Sequence, residues 1–306
     1  MPRTQWEVKL EALRRDNRSG AEEILAKALD LLIEAIAESS PSGVLSYKEW
    51  LLRISRQIVA AQPSMGVLFR LVNDMLWACD GVMNSTEMRQ KALDFLQDYQ
   101  QQQETTLQAV IDQAAQYLAN FASLMTYSRS STVARVFTTM AERNIKPRIY
   151  CSEGRPMLEG QTLASELSWA GLDVILGIDM ALFGWLGEVR ALVIGADSIG
   201  SAGLVNKVGT AALMHAAMEQ EIPRIVVCSS LKFLPEDYLV GQSLRSGAPE
   251  EIMPVSSENI TVRNVYFDVT PLELVSVVIN EKGPLEYEEL LQELAQIRTY
   301  PGLRGR

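Results

Sequence analysis

The chain has 306 residues, of which 47% are hydrophobic and 22% charged, a composition typical of a globular protein large enough for two domains. Its formal net charge of −10 argues against a general nucleic-acid or anionic-membrane surface, although a few basic side chains suffice to hold one phosphate. No apolar stretch is long enough to span a bilayer, and the charged N-terminus lacks the apolar core of a signal peptide. We therefore expect a cytoplasmic protein without nucleic acid or membrane as a partner.

The numbers and positions of cysteine and histidine exclude further kinds of site. The three cysteines, Cys79, Cys151 and Cys228, are far apart and lack metal-ligand spacing, so neither a disulfide framework nor a zinc site is expected. The single histidine, His215, lies two turns into a predicted helix, where a core or edge position is expected rather than catalysis. We expect no metal and no organic cofactor.

Helical periodicity runs through the first 122 residues. Apolar spacing predicts helices over residues 20–39, 46–62 and 64–79. Asn84, Ser85 and Thr86 offer an N-cap for a further helix. Because no Pro or Gly interrupts the pattern from residue 87 to about 122, one long helix is the simplest prediction, with two helices broken at the QDYQQQQETT section as the alternative. We assign residues 1–122 to an N-terminal helical domain.

From Ser123 onward, short apolar runs alternate with helical segments. Strands are predicted over residues 124–128, 148–151, 174–178, 191–194 and 225–228. Helices are predicted between them, over residues 131–143, 159–170, 179–187 and 206–220. The last three strands are continuous apolar runs, as expected when both faces are buried. This alternation predicts an α/β domain over residues 123–306, with a Rossmann-like, mostly parallel sheet.

Ligands of parallel sheets bind at the carboxyl ends of the strands, so the loops that follow the strands are the places to look for chemistry. Ser130 and Ser131 stand where a helix starts, and their hydroxyls and free backbone N–H groups are candidates for holding a phosphate. A plain N-cap without a ligand is the alternative. Glu153 and Arg155 follow another strand, and we expect them to pair and brace their loop rather than to act in catalysis.

The segment 195–210 contains the strongest candidates. Asp197 lies just beyond a buried strand, where its carboxylate can face a pocket. Asn206 is expected to cap the next helix, which places Lys207 in the first helical turn. A cation at the start of a helix gains nothing from the helix dipole, so a bound anion would explain why a lysine occupies this position. Lys232, after the strand at 225–228, is a second candidate cation, with a solvated surface lysine as the alternative. Neither the P-loop nor the dinucleotide fingerprint is present.

Several motifs in these loops keep their order and spacing over roughly residues 120–285. They are Gly195-Ala196-Asp197 with Gly203 and the NKVGT run at 206–210, Glu153 and Arg155-Pro156 with Gly160, Ile178-Asp179 with Ala181, the FDVTP run at 267–271, and Glu281-Lys282-Gly283. In this respect the chain resembles one family, which comprises the alpha, beta and delta regulatory subunits of translation initiation factor 2B, archaeal ribose-1,5-bisphosphate isomerase and methylthioribose-1-phosphate isomerase. Arg18-Ser19-Gly20-Ala21 is similar to the Arg-Gly-Ala phosphate-binding turn of the isomerases, with Ser19 as an extra residue.

The resemblance implies candidate roles for single residues. The aspartate that the isomerases use carries over to Asp197, whereas Ser128 stands where they have a cysteine, and a hydroxyl is far less acidic than a thiol. Cys151 is the one plausible substitute thiol, but it follows a different strand. Asp197 and Ser128 are therefore the candidate catalytic residues. The candidate ligand-binding residues are Arg18, Gly20, Ala21, Ser130, Ser131, Asn206, Lys207 and Lys232.

Three functional hypotheses follow from the resemblance. The first is a regulatory-subunit-like protein that binds a sugar phosphate or a nucleoside monophosphate such as AMP or GMP. The second is an aldose–ketose isomerase of phosphorylated ribose that uses Asp197 and an unidentified second group. The third is a protein-interaction role in translation. Because members of the family pair through their α/β domains, we expect a homodimer or a higher homo-oligomer.

Overall fold

The computed structural model describes residues 4–17, 19–40, 42–238, 246–254 and 257–303. Helices α1 to α5 span Gln5–Arg15, Ala21–Glu38, Val44–Ala61, Gly66–Ala78 and Ser85–Leu118. Helices α6 to α10 span Ser131–Glu142, Glu159–Trp169, Ala181–Trp185, Thr210–Glu219 and Tyr287–Ala295. Strands β1 to β5 span Ser123–Met125, Arg148–Ser152, Val174–Gly177, Ala191–Ile194 and Ser198–Gly200. Strands β6 to β10 span Gly203–Lys207, Arg224–Val227, Phe267–Thr270, Val277–Asn280 and Gly283–Leu285.

The N-terminal helices bury their apolar stripes against one another in a shared core. Leu25, Leu29 and Leu32 of α2 are fully buried there, at the three- and four-residue spacing that predicted the helix. The long α5 is continuous, which confirms the single-helix prediction. Its first half packs in the helical core, whereas residues from Leu107 onward pack on the sheet. The predicted domain boundary at residue 122 stays a prediction.

The main sheet has seven strands in the order β10-β9-β7-β4-β1-β2-β3. All neighbours are parallel except β10, which is antiparallel to β9. The second half of α5 packs with α6 and α7 on one face, and α8, α9 and α10 pack on the other. Alternate residues of β4 face the two layers, since Ala191 and Val193 lie in one core and Leu192 and Ile194 in the other. The predicted mostly parallel α/β architecture is confirmed.

Strand β3 differs from the prediction because the sheet order places it at an edge. We expected it to be buried on both faces, but Leu176 is 45% exposed, and Ile178, just beyond the strand, is 63% exposed. An edge strand has a neighbour on only one side, so its apolar side chains are not covered as those of a central strand are. Strand β1 is also shorter than predicted and ends at Met125, before the loop that contains Ser128.

A small antiparallel sheet, in the order β5-β6-β8, was not predicted. It contains Asn206 and Lys207, so the expectation that Asn206 caps the next helix was wrong, as was the placement of Lys207 in the first helical turn. Both residues pair with β8, and the helix starts at Thr210 after Gly209, whose φ of 101° suits glycine. The carboxylate of Asp268 accepts the backbone N–H of Gly209 at 2.7 Å at this helix start.

None of the described helices combines the length and apolar character that a membrane crossing requires.

Candidate functional site

A cavity of about 440 Å³ lies where the order of the main sheet reverses. From the central β1 the chain proceeds to β2 and β3 on one side, and later to β4, β7 and β9 on the other. The loops after β1 and β4 therefore diverge and leave a crevice between them, which is the usual ligand position in such sheets. The N-terminal helices contribute the opposite wall, through residues near the starts of α2 and α4.

Most of the candidate residues meet at this cavity. Its lining includes Ser128, Ser130, Ser131, Asp197, Asn206, Lys207, Lys232, Gly20 and Ala21. Arg18 lies outside the described residues. The lining comes from loops of both the helical part and the sheet, and from strands β6 and β8, so its assembly depends on the tertiary fold.

Asp197 is held at the cavity by its backbone. Its N–H donates to the carbonyl of Val205 at 2.9 Å, and its own carbonyl accepts the N–H of Gly66 at 3.0 Å, which ties the β4 loop to β6 and to the start of α4. Burial raises the pKa of the Asp197 carboxyl to about 6, although Lys232 and Lys207 oppose the shift. A carboxyl group with this pKa can hold or release a proton near neutral pH.

Two buried lysines give the cavity its positive charge. The Lys207 Nζ lies 2.5 Å from Glu159 Oε1, and its side chain is only 10% exposed. The Lys232 Nζ lies 4.0 Å from Glu22 Oε1, and its side chain is 4% exposed. The alternative of a solvated surface lysine is therefore wrong for Lys232. Lysines this deeply buried are rare unless a counter-charge faces them, and here Lys207 faces Glu159 at the cavity and Lys232 faces Glu22.

Glu159 is the functional candidate that sequence reasoning missed. The Ser128 Oγ donates to its Oε1 at 2.8 Å, from a backbone with φ of 62° that serine seldom adopts. The other oxygen, Oε2, is buried and has no hydrogen-bond partner among the residues that the structure describes. Glu159 lies in the first turn of α7, where an acidic residue is common for dipole reasons. Its position just before the motif residue Gly160 was the only available signal.

The loop after β2 is braced differently from the expectation. Glu153 and Arg155 do not pair; instead the Asp179 carboxylate accepts the N–H groups of Gly154 and Arg155, each at 2.9 Å. Asp179 follows the edge strand β3, so its link to this loop joins the ends of neighbouring strands. Asp179, rather than an ion pair between Glu153 and Arg155, therefore holds this loop in place.

The thiols and the histidine are not among the described residues that line the cavity. Cys151 is buried within β2, and burial raises the pKa of its thiol to about 12, so it is not a thiolate near neutral pH. His215 is exposed on α9 and does not line the cavity. Across the described ranges, no group of three or more His, Cys, Asp or Glu side chains is arranged to hold a metal ion.

A second cavity, of about 460 Å³, lies between α4 and α10. Its basic side chains include Arg70, which pairs with Asp74 at 3.2 Å, and Lys282, which pairs with Glu293 at 2.8 Å. Both pairs are at least partly open to solvent. This cavity lacks the buried lysines and the raised carboxyl pKa of the first, which we therefore take as the candidate site.

Comparisons with known proteins agree with the motifs. A model of the Initiation factor 2 subunit family matches residues 17–287. Ribose 1,5-bisphosphate isomerase from Archaeoglobus fulgidus is 26% identical over 302 residues, covering 96% of this chain and 93% of that protein. A putative translation initiation factor eIF-2B subunit 2-like protein from Pyrococcus horikoshii is 29% identical over 282 residues, covering 90% and 94%. The solved translation initiation factor eIF-2B of Pyrococcus horikoshii OT3 matches with a TM-score of 0.80 at 25% identity, covering 94% of this chain and 98% of that one.

Proposed function

The chain belongs to the initiation factor 2 subunit family, and from that premise we propose that it binds a phosphorylated ribose in the cavity at the reversal of the sheet. The observation that carries the proposal is the pair of buried lysines, Lys207 and Lys232, facing one cavity. Burying a lysine is costly; Glu159 and Glu22 offset part of that cost, and an anionic ligand beside both ammonium groups offsets more of it.

Two helix starts support the same ligand. Gly20 and Ala21 form the start of α2, and Ser130 and Ser131 form the start of α6, and all four line the cavity. Free N–H groups and the helix dipole make such starts favourable for phosphate. A cavity of about 440 Å³ is also within the size range of small-ligand sites. Two lysines and two helix starts suit a ligand with two phosphates, such as ribose 1,5-bisphosphate; AMP and GMP are the alternative ligands.

Isothermal titration calorimetry tests the proposal with ribose 1,5-bisphosphate, ribose 5-phosphate, AMP and GMP. We expect Lys207→Ala to weaken the binding of the preferred ligand about 10- to 100-fold, because a hydrogen bond to a charged group contributes about 1.5–3 kcal/mol. Lys146→Ala, at an exposed position after α6, is the matched control and should bind as the wild type does. No binding of any of the four compounds at millimolar concentration would reject the proposal.

A second candidate function is an aldose–ketose isomerisation of the bound sugar. The Asp197 carboxyl, with its pKa of about 6, favours it, because acid–base catalysis works best when the pKa lies near the working pH. The name of the Archaeoglobus fulgidus relative is that of such an isomerase. Conversion of ribose 1,5-bisphosphate to ribulose 1,5-bisphosphate that is lost in Asp197→Asn would support it, and an inactive, ligand-binding wild type would reject it.

We further propose that two copies of the chain associate through the exposed apolar surface beside β3. This surface consists of Trp169, Leu176, Ile178 and Met180, of which Trp169 is 87% exposed. Leu176 and Ile178 share one face by strand alternation, and the outer edge of β3 has no neighbouring strand in the described sheet. A second copy is the simplest partner, since a two-fold interface needs only this one surface. A role in translation and a cytoplasmic location stay predictions.

A further inference from the structure

The cavity contains a second carboxylate that ligand binding alone does not require. We propose that Glu159 is a catalytic base that works together with Asp197 in isomerising the bound sugar phosphate. This inference rests on the proposed binding of a phosphorylated ribose, and it supplies the second proton-transfer group that an isomerase needs beside Asp197.

The contacts of Glu159 leave one of its oxygens free for proton transfer. Its Oε1 accepts the Ser128 hydroxyl at 2.8 Å and lies 2.5 Å from the Lys207 Nζ. Its Oε2 is buried, and within the described part of the chain no group donates a hydrogen bond to it. An unsatisfied buried carboxylate oxygen is costly, and such groups persist where a ligand or a reaction uses them. Ser128 acts as a positioning residue, because its hydroxyl orients the carboxylate.

The surrounding backbone allows Glu159 to take this position. Gly154 approaches the carboxyl so closely that a Cβ there would lie 3.1 Å from the Glu159 Cδ. At the same position φ is 74°, which glycine adopts without strain. The brace from Asp179 to the N–H groups of Gly154 and Arg155 keeps this loop in place. The site is therefore built around the carboxylate.

Ligand binding also changes the charge that Glu159 experiences. Lys207 is its ion-pair partner in the free protein and is, under the proposed function, a partner of the ligand phosphate. Once phosphate shares the lysine, the ion pair that holds the Glu159 carboxylate is weakened. Under the proposed function, substrate binding therefore loosens the contact between Lys207 and Glu159 without any large movement of the chain.

The reaction needs only the two carboxyl groups and balances without a co-reactant. Glu159 takes the proton from C2 of the sugar, and the electron pair left behind forms the C1–C2 double bond. The bond from C1 to the ring oxygen breaks, and that oxygen takes the proton of Asp197 to become a hydroxyl. In the second half, Asp197 takes the proton of the C2 hydroxyl and Glu159 returns its proton to C1, which leaves a C2 ketone. Both carboxyl groups regain their starting states.

The test compares Glu159→Gln with the wild type in three measurements: calorimetric binding of ribose 1,5-bisphosphate, its conversion to ribulose 1,5-bisphosphate, and incorporation of deuterium at C1 of the product in D₂O. We expect kcat to fall by about 10²- to 10⁴-fold and deuterium incorporation to slow equally, because general base catalysis contributes that much. The Kd should stay within about threefold, since the lost group transfers a proton. The exposed Glu219→Gln on α9 is the matched control and should keep all three values.

Two outcomes would overturn the inference while leaving the binding proposal intact. One is a Glu159→Gln variant with kcat within about threefold of the wild type, and the other is a wild type that binds the sugar without turnover or deuterium exchange. Absence of binding by the wild type would instead overturn both. If Glu159→Gln does not fold, Glu159→Asp replaces it; moving the carboxylate back by about 1 Å should lower kcat about 10²-fold, and an unchanged kcat would overturn the inference.

Discussion

At the scale of single residues, Asp197 combines a proposed function with a cost in stability. Its pKa of about 6 exceeds the ordinary value of 3.8, so the folded protein binds this proton more tightly than the unfolded chain does. The free energy of unfolding therefore falls as the pH rises from about 3.8 to about 6. Above about pH 6 the full cost of burying the ionised Asp197 carboxylate is present. Functional residues of this kind often trade stability for activity.

Asp197→Asn should consequently stabilise the protein while removing any turnover. Asparagine is neutral and nearly isosteric, so we expect a gain of about 1–3 kcal/mol at about pH 7.5 that disappears below about pH 4. Urea unfolding at the two pH values measures it. Asp98→Asn, at an exposed position on α5, should change neither value. An equal or lower stability of Asp197→Asn at the higher pH would contradict the argument.

Gly195 shows how one missing side chain lets two loops of the site meet. A Cβ at this position would lie 2.4 Å from the Ser130 Oγ and 2.6 Å from its Cβ. Ser130 is the N-cap of α6, and its Oγ accepts the N–H of Val133 at 3.4 Å. A side chain at residue 195 therefore displaces both a helix cap and one wall of the cavity.

Gly195→Ala should destabilise the protein by about 1–3 kcal/mol through overpacking. The double variant Gly195→Ala, Ser130→Gly should recover part of this loss, because it removes the colliding side chain and glycine is an acceptable N-cap. Chemical denaturation of the two single variants and the double variant gives the coupling energy. Strictly additive losses would show that the two residues do not collide.

At the scale of elements, α5 connects the helical core to the sheet. Its first half packs among the N-terminal helices and its second half covers one face of the sheet. The helix begins with the Asn84 side chain, which accepts the N–H groups of Thr86 at 2.9 Å and Glu87 at 3.0 Å. Two of the N–H groups that have no partner within the helix are satisfied there.

Asn84→Ala should therefore cost about 1 kcal/mol in the free energy of unfolding, within the range of about 0.5–2 kcal/mol for lost N-caps. Ligand affinity should not change, because Asn84 does not line the cavity. Denaturation and calorimetry on the same preparation separate the two quantities. Ser85→Ala, one residue further on, is the control for a polar-to-alanine change without loss of the cap. A loss of ligand affinity in Asn84→Ala would contradict this expectation, because it would mean that the start of α5 affects the structure of the cavity.

At the scale of the whole molecule, we expect the apolar surface beside β3 to determine whether the chain is a monomer or a dimer in solution. Charges on this surface should separate the copies, since buried unpaired charges are strongly unfavourable. We expect sedimentation velocity to show a dimer for the wild type and a monomer for the double variant Leu176→Glu, Ile178→Glu. Met83→Glu changes another exposed apolar residue, 83% exposed, and should stay dimeric. A monomeric wild type at micromolar concentration would reject the proposed association.

The sequence by itself determined the helical N-terminal part, the alternation of the five predicted strands with helices, and nine residues that line the cavity. These predictions depend on spacing along the chain: buried helices and the central strand β4 show their periodicity or apolar run locally. The loops after β1 and β4 could be chosen because carboxyl ends of parallel strands lie at one edge.

Only the tertiary structure decided which neighbours each segment has. Asn206 and Lys207 lie in a strand rather than at a helix start, because β6 pairs with β8, some 60 residues further along the chain. The exposure of β3 depends on the order of the sheet, which the apolar run 174–178 does not encode. Ser128 and Glu159 are 31 residues apart, and only its place before the motif residue Gly160 distinguishes Glu159 locally from any acidic residue in a first helical turn. Contacts between distant segments arise when the layers pack, so the carboxylate pair of the site became visible only in the folded chain.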